Sequence, residues 1–168
     1  PDPGASTQVR WRIVGLLSLL SLGNYFNRIS MPVAGDRIMQ LYPISEVQMG
    51  WVYSALLIAY AACMVPGGWL SDRLGGWAML TAMGFGTAAG CGLTALAGWP
   101  GLAVAWVWPL LLGARAIMGA FTAPLYPAAG RIVSGWLPFP RRAQANGLVT
   151  GAAMLGIALA HPVFGTLI

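Results

Sequence analysis

Residues 67–76 read GGWLSDRLGG and lie at the junction of two apolar runs, residues 46–70 and 77–97. Each run is long enough to cross a lipid bilayer, since a spanning helix needs about 20 mainly apolar residues. The glycines of the junction permit a tight turn, and its only charged side chains are Asp72 and Arg73. The stretch therefore predicts a short polar turn that joins two antiparallel membrane-spanning helices.

The composition of the chain indicates that its main solvent is lipid. Of its 168 residues, 58% are hydrophobic and 8% are charged, and the mean hydropathy is +0.71. Soluble domains carry about 25% charged residues, so this chain has too few to cover a surface that faces water. Its nine basic residues are all arginines, scattered mostly at the ends of apolar runs, which argues against a nucleic-acid partner. The sequence contains no metal-ligand cluster, phosphate loop or nucleophile–base pair, so we expect no enzyme activity, metal or cofactor.

Five apolar runs of the sequence are long enough to form spanning helices. They cover residues 12–34, 46–70, 77–97, 102–130 and 143–168. Uninterrupted runs predict helices, because barrel strands alternate in polarity over about ten residues. We therefore expect an all-α membrane protein in which residues 1–11 form a cytoplasmic N-terminal tail. Because the chain begins without methionine and ends inside an apolar run, we interpret it as a piece of a longer protein.

The distribution of arginines predicts the orientation in the membrane. Six arginines fall on one side of the predicted helices: Arg10, Arg12, Arg73, Arg131, Arg141 and Arg142. The opposite side holds Arg37, which is offset by Asp36 and Glu46. Since cytoplasmic loops carry the excess of basic residues, the N-terminus is predicted to be cytoplasmic, in a multi-pass protein of the plasma or inner membrane. We also expect Gly147 and Gly151, together with the glycines of the third run, to let neighbouring helices approach closely.

Two arginines, Arg28 and Arg115, lie inside apolar runs. A guanidinium stays charged at any accessible pH, and placing it at bilayer depth costs at least about 2.5 kcal/mol. The sequence predicts that each faces a wet cavity and binds an anion. Two alternatives remain open: Arg28 snorkels to the membrane surface, and Arg115 is a structural anchor between helices.

Several polar side chains share the expected cavity. Arg115 and Thr122 lie seven residues apart, hence on one helical face, and Tyr126 follows one turn later. Tyr53 lies on the second apolar run and could present its hydroxyl group to the same cavity. For Thr122 the alternative is a hydrogen bond to its own backbone, and for Tyr53 it is packing. His161 is the sole histidine and is either structural or a proton carrier.

The turn at residues 67–76 resembles the G-x-x-x-D-R-x-G loop between the second and third helices of the major facilitator superfamily. Gly68, Asp72, Arg73 and Gly75 occupy the motif positions, and the resemblance implies that they latch one conformation of a transporter. Family members usually carry basic residues after the last glycine, whereas this chain has a second glycine and a tryptophan there. The latch is then either weaker or carried by Arg73 together with Arg142.

Two further stretches resemble the anion:cation symporter branch of that superfamily. They are residues 24–30, NYFNRIS, and residues 115–127, RAIMGAFTAPLYP. The resemblance covers almost the whole chain and implies the major facilitator fold, with residues 12–168 forming the first five transmembrane helices of the N-terminal six-helix bundle. A C-terminal bundle of the same chain and the lipid bilayer are then expected partners.

The branch resemblance implies that Arg28 and Arg115 contribute to a site for a small organic anion, such as a sugar acid or another carboxylate. Asn27 and Thr122 stand where proton-coupled members often have acids, and neither side chain titrates. Asn27 is a candidate substrate contact, and hydrogen bonding between helices is the alternative. The expected function is secondary active transport by alternating access, with H+ or Na+ as the coupling ion and no proton coupling through those two positions. The alternatives are a drug or metabolite exporter of the same superfamily and a non-transporting membrane sensor on this fold.

Overall fold

The structure, a computed structural model, describes residues 3–167, with side chains for residues 8–166. The described chain is helical throughout and contains no strand. Its six helices are α1 (Pro3–Leu41), α2 (Glu46–Leu74), α3 (Gly76–Ala97), α4 (Val104–Thr122), α5 (Leu125–Trp136) and α6 (Phe139–Leu167). The prediction of an all-α chain is therefore confirmed for the described residues.

The helices extend beyond the apolar runs that predict them. Residues 3–11, expected as a polar tail, belong to α1, and the same helix continues to Leu41 through residues expected in a loop. Likewise, α6 begins at Phe139 rather than near Ala143. Hydropathy identifies the part of a helix that matches the bilayer core, whereas backbone hydrogen bonding continues into the polar ends of the same helix.

The fourth apolar run forms two helices rather than one. The helix α4 ends at Thr122, and α5 begins at Leu125. Pro124 and Pro127 have no N–H group, so neither residue can donate the hydrogen bond that would continue α4 through this point. Pro109 lies inside α4 without ending it.

Four stretches are long and apolar enough to cross a membrane, considering only the described residues. They are α2, α3, residues Val104–Trp136 and α6. The first helix is 39 residues long, but Asn24, Asn27 and Arg28 lower the hydropathy of its central part. A third or less of each span's most apolar window is buried within the chain, so most of these side chains are available to lipid or to other helices.

The chain divides into two compact units. The central unit is Ala34–Ala128, and the terminal unit comprises the residues up to Val33 together with those from Ala129 onward. The central unit contains α2, α3 and α4. Its fully or almost fully buried side chains include Met49, Val52, Met83, Val107, Leu111 and Met118.

Glycines bring the helices of the central unit into close contact. A Cβ atom on Gly119 of α4 would collide with the backbone of Leu56 in α2. On α3, a Cβ atom on Gly90 would collide with Met118 and lie 3.2 Å from the carbonyl oxygen of Ala114. Association of helices in lipid relies on such close packing, because lipid tails are as apolar as leucine side chains.

The terminal unit contains one comparable approach, between α1 and α6. A Cβ atom on Gly156 would collide with the carbonyl oxygen of Leu22 and lie 3.1 Å from its carbonyl carbon. No described atom lies within 4 Å of a Cβ built on Gly147 or Gly151, so the close approach expected at these two glycines stays a prediction. All three glycines belong to a helix that is apolar on every side, so hydropathy alone does not reveal which face packs.

Candidate functional site

Arg115 is the most deeply buried charged side chain among the described residues. It projects from the middle of α4 and is 3% exposed, with its Nε and Nη1 atoms fully buried. Ala114, Met118 and Gly119 on the same helix are also buried. The charge of Arg115 is therefore held inside the central unit, where α4 packs against neighbouring helices, and the alternative role of a structural anchor between helices stays open.

Tyr53 of α2 belongs to the same charged region of the central unit. Its hydroxyl interacts electrostatically with both Arg115 and Asp36. The ring is half-buried, and its hydroxyl packs directly against Gly35 of α1. Tyr53 and Arg115, both predicted site residues, thus lie within electrostatic range of each other in the central unit, and the carboxylate of Asp36 lies within range of Tyr53.

The hydroxyl group of Thr122 is used within α4. Thr122 is 7% exposed, and its Oγ1 donates a hydrogen bond to the carbonyl oxygen of Gly119 at 3.1 Å. The sequence left open whether this hydroxyl contacts a ligand or its own backbone, and the structure shows the bond to the backbone. The hydroxyl proton is thereby used, so Thr122 could contact a ligand only by accepting a hydrogen bond through its oxygen. Tyr126 lies at the start of α5 and is half-buried.

Arg28 and Asn27 lie in the part of α1 that belongs to the terminal unit. Arg28 is half-buried, and its guanidinium carbon lies 5.6 Å from the centre of the Tyr25 ring. The backbone oxygen of Asn27 accepts a hydrogen bond from Ser30 Oγ at 2.7 Å. The cation–π contact holds the Arg28 side chain along its own helix.

His161, the candidate proton carrier, is exposed on α6 and precedes Pro162. No acidic residue occurs at positions 3–33 or 129–167, which make up the described part of the terminal unit. Within that unit His161 consequently has no carboxylate with which to exchange a proton directly.

The turn between α2 and α3 consists of one residue, Gly75. Its φ of 87° lies in the region that favours glycine, and its N–H donates to the carbonyl oxygen of Ser71 at 3.0 Å. Arg73 stacks over the Trp69 ring at 4.0 Å, while Asp72 is exposed. A Cβ atom on Gly68 would lie 4.0 Å from Pro127. Gly75 therefore sets the turn, and Arg73 is held beside Trp69.

Arg142, the other candidate for the latch, stabilises the end of α5. Its Nη2 donates to the carbonyl oxygen of Ser134 at 2.7 Å, and its Nε donates to that of Leu137 at 3.1 Å. A cation that binds the last carbonyls of a helix satisfies groups that have no partner within the helix. The guanidinium is thereby committed to the connection between α5 and α6.

Sequence reasoning missed Gly35 and Asp36 as neighbours of Tyr53. The apolar run that predicts the first helix ends at residue 34, whereas α1 continues through Gly35 and Asp36 to Leu41. The available signal was helical spacing, since Met31 and Gly35 are four residues apart and both are buried. This spacing extends the buried face of α1 beyond the apolar run.

The central unit also contains an apolar cavity of about 290 Å³ between α2, α3 and α4. Its wall includes Cys63, Leu70, Met83 and Phe121, and none of the predicted anion-binding side chains. No described group of three His, Cys, Asp or Glu side chains is arranged to hold a metal ion. The chemistry that the described region around Arg115 offers is the recognition of charge and hydroxyl groups.

Comparisons with known proteins agree with this architecture. The sequence model described as the Major Facilitator Superfamily matches residues 13–168. The chain is 32% identical to the probable galactarate/D-glucarate transporter GudP of Bacillus subtilis, over 98% of this chain and 36% of that protein. It is 33% identical to the D-galactonate transporter of Escherichia coli O6:H1, over 83% of this chain and 30% of that protein.

A third relative, the hexuronate transporter of Escherichia coli K12, is 31% identical over 92% of this chain and 34% of that protein. The chain thus spans about a third of the length of the curated relatives described here. The family match covers more than nine-tenths of the chain, and it coincides with an all-helical structure that carries several apolar spans. The chain therefore belongs to the Major Facilitator Superfamily, as part of a multi-pass membrane protein.

Proposed function

We propose that the protein is a secondary active transporter of a small organic anion, with a sugar acid as the substrate class. The observation that carries the proposal is the buried charge of Arg115 in α4, with the Tyr53 hydroxyl within its electrostatic reach. The named substrates of the relatives, which are galactarate, glucarate, galactonate and hexuronate, support the choice of a hydroxylated carboxylate.

The charge balance of the chain supports an anionic substrate. Positions 76–167 carry Arg115, Arg131, Arg141 and Arg142 but no acidic residue. A guanidinium binds a carboxylate through two parallel hydrogen bonds, and a hydroxyl such as that of Tyr53 suits the hydroxyl groups of a sugar acid. Arg28 contributes a further positive charge within α1.

Transport by alternating access requires the C-terminal bundle that we propose as the partner of this one. The coupling ion is proposed to be H+ or Na+. Asn27 and Thr122 do not titrate, so a coupling proton is expected to be carried elsewhere, with His161 as the candidate in the described chain. The turn with Asp72 and Arg73 is proposed as the conformational latch.

The distribution of arginines supports an orientation with a cytoplasmic N-terminus in the plasma or inner membrane. In a variant without Cys63 and Cys91, a cysteine at Gln8 should react with an impermeant maleimide only after the cells are opened. A cysteine at Gly98, on the opposite side, should react in intact cells. The reverse pattern would contradict this orientation.

The function is tested by uptake of labelled D-glucarate or D-galactonate into proteoliposomes that contain the full-length protein. Arg115→Gln should reduce uptake roughly thirtyfold or more, because a buried charged hydrogen-bond pair is lost. Arg28→Gln tests the second arginine in the same assay. Arg37→Gln is the matched control, since Arg37 is exposed and its nearest polar partner is Gln40 at 3.5 Å.

The outcomes separate the alternatives. Uptake that survives Arg115→Gln unchanged contradicts the proposed site. Flux that is inhibited by neutral or cationic drugs, and not by carboxylates, indicates an exporter instead. Ligand-dependent thermal stabilisation without any flux indicates a sensor. Arg115→Lys, which retains the charge but not the planar fork, should recover part of the uptake lost in Arg115→Gln.

A further inference from the structure

A second cavity, of about 210 Å³, lies in the terminal unit and is lined by both polar and apolar groups, including two arginines. Its wall consists of Arg10 and Trp11 from α1, of Leu137 and Pro138 from the α5–α6 connection, and of Arg141 from the first turn of α6. None of these residues belongs to the proposed transport site. Liquid water occupies about 30 Å³ per molecule, so the cavity has room for a ligand several times larger than water.

Hydrogen bonds hold the α5–α6 side of this cavity in place. Leu137 is 3% exposed, and its N–H donates to the carbonyl oxygen of Val133 at 2.9 Å. The N–H of Arg141 donates to the carbonyl oxygen of Pro138 at 3.0 Å. Arg142 ties the same connection to the last turn of α5. Arg141 therefore projects from the hydrogen-bonded first turn of α6.

The charge of the terminal unit is strongly positive. Its described residues include Arg10, Arg12, Arg28, Arg131, Arg141 and Arg142. They include no aspartate or glutamate, and Asp2 lies outside the described residues. No acidic residue of positions 3–33 or 129–167 is therefore available to neutralise the two arginines that line the cavity.

The lining indicates a phosphate ligand at the membrane surface. Guanidinium groups match the geometry of phosphate oxygens, and tryptophan prefers the level of lipid headgroups. The α5–α6 wall lies where two spans that are apolar enough to cross a membrane, Val104–Trp136 and α6, meet, and the ends of such spans face the headgroup region of a bilayer. Basic pockets between transmembrane helices on the cytoplasmic side are suited to anionic headgroups.

We propose that Arg10, Trp11 and Arg141 form a binding site for the phosphate headgroup of an anionic phospholipid. The two arginines flank the phosphate and supply its counter-charge, and the indole of Trp11 contacts the glycerol region. A zwitterionic phospholipid binds more weakly, since its ammonium group meets the same two positive charges. The site does not depend on the transport proposal, because it is read out by lipid binding alone.

The test is native mass spectrometry of the full-length protein in detergent, titrated with phosphatidylglycerol and, separately, with phosphatidylcholine of the same acyl chains. Phosphatidylglycerol should bind with one saturable site that phosphatidylcholine lacks. The double variant Arg10→Gln with Arg141→Gln should weaken this binding about tenfold or more, since each arginine contributes about fivefold. Arg10→Lys with Arg141→Lys should retain most of it.

The matched control is Arg12→Gln with Arg131→Gln, which removes the same charge from exposed positions outside the cavity wall. In detergent there is no charged bilayer surface, so the control should bind phosphatidylglycerol almost as the unchanged protein does. Equal losses in both double variants, or equal binding of the two lipids, would overturn the site. Displacement of the lipid by millimolar inorganic phosphate would instead assign the cavity to a soluble phosphate.

Discussion

Replacing Gly119 with alanine tests whether the contact between α4 and α2 holds the central unit together. The new Cβ atom would collide with the carbonyl oxygen of Leu56, and it would lie 2.9 Å from the carbonyl carbon and 3.0 Å from the Cα of that residue. Carbon atoms in favourable contact are about 3.5–4.0 Å apart. Because every opposing atom belongs to the backbone, the collision cannot be relieved by a side-chain rotation.

Relief requires that α4 move away from α2 by about 0.5–1 Å, the difference between the present and the favourable separations. Overpacking of this kind costs about 1–3 kcal/mol. The free energy of unfolding of the full-length protein, measured with denaturant in detergent, should fall by that amount in Gly119→Ala. Since Arg115 lies one turn earlier on the same face of α4, affinity for the substrate should fall as well.

Gly113→Ala provides the matched control on the same helix. No described atom lies within 4 Å of a Cβ at Gly113, which is exposed. The two variants add the same methyl group and the same gain in helix propensity, about 1 kcal/mol or less, so their difference isolates the contact with Leu56. The reasoning is refuted if Gly119→Ala is as stable as Gly113→Ala.

Three further predictions concern single contacts, each read out as the free energy of unfolding in detergent. Gly156→Ala, which opposes the backbone of Leu22, should lose about 1–3 kcal/mol, whereas Gly151→Ala should lose nothing; equal effects would argue against the packing of α1 on α6. Ser45→Ala removes the cap in which Gln48 N–H donates to Ser45 Oγ at 3.2 Å and should cost about 1 kcal/mol, with Ser45→Thr retaining most of it. Arg142→Gln breaks the bonds to the carbonyl oxygens of Ser134 and Leu137 and should cost about 1.5 kcal/mol; an unchanged stability would show that these bonds do not stabilise the connection.

The residues alone were sufficient to identify the class of protein and the family. Runs of about 20 apolar residues indicate helices that cross a lipid bilayer. A glycine-rich turn with one acid and one arginine between two such runs is a specific signal of the family. Residues 67–76 thus predicted the α2–α3 turn, and the match to the Major Facilitator Superfamily confirms the resemblance. The anion-binding roles of Arg28 and Arg115 stay predictions.

The lengths and breaks of the helices were less accessible from the residues. The helix α1 extends to Leu41 although its hydropathy falls well before that point, because polar helix ends keep their hydrogen bonds outside the bilayer core. The division between α4 and α5 follows from two prolines whose combined effect depends on neighbouring packing. In consequence, Gly35 and Asp36 were not recognised as neighbours of Tyr53.

Contacts between helices depend on which face of each helix turns inward. A helix that is apolar on all sides gives no sequence signal that identifies this face. Gly151 and Gly156 are equally plausible packing positions in the sequence, yet only Gly156 meets the backbone of α1. Similarly, the sequence placed an arginine within an apolar run, while folding buried Arg115 almost completely in the central unit. The hydrophobicity of the sequence therefore determines that the helices lie in a membrane. Steric fit between the folded helices determines which of their residues are in contact.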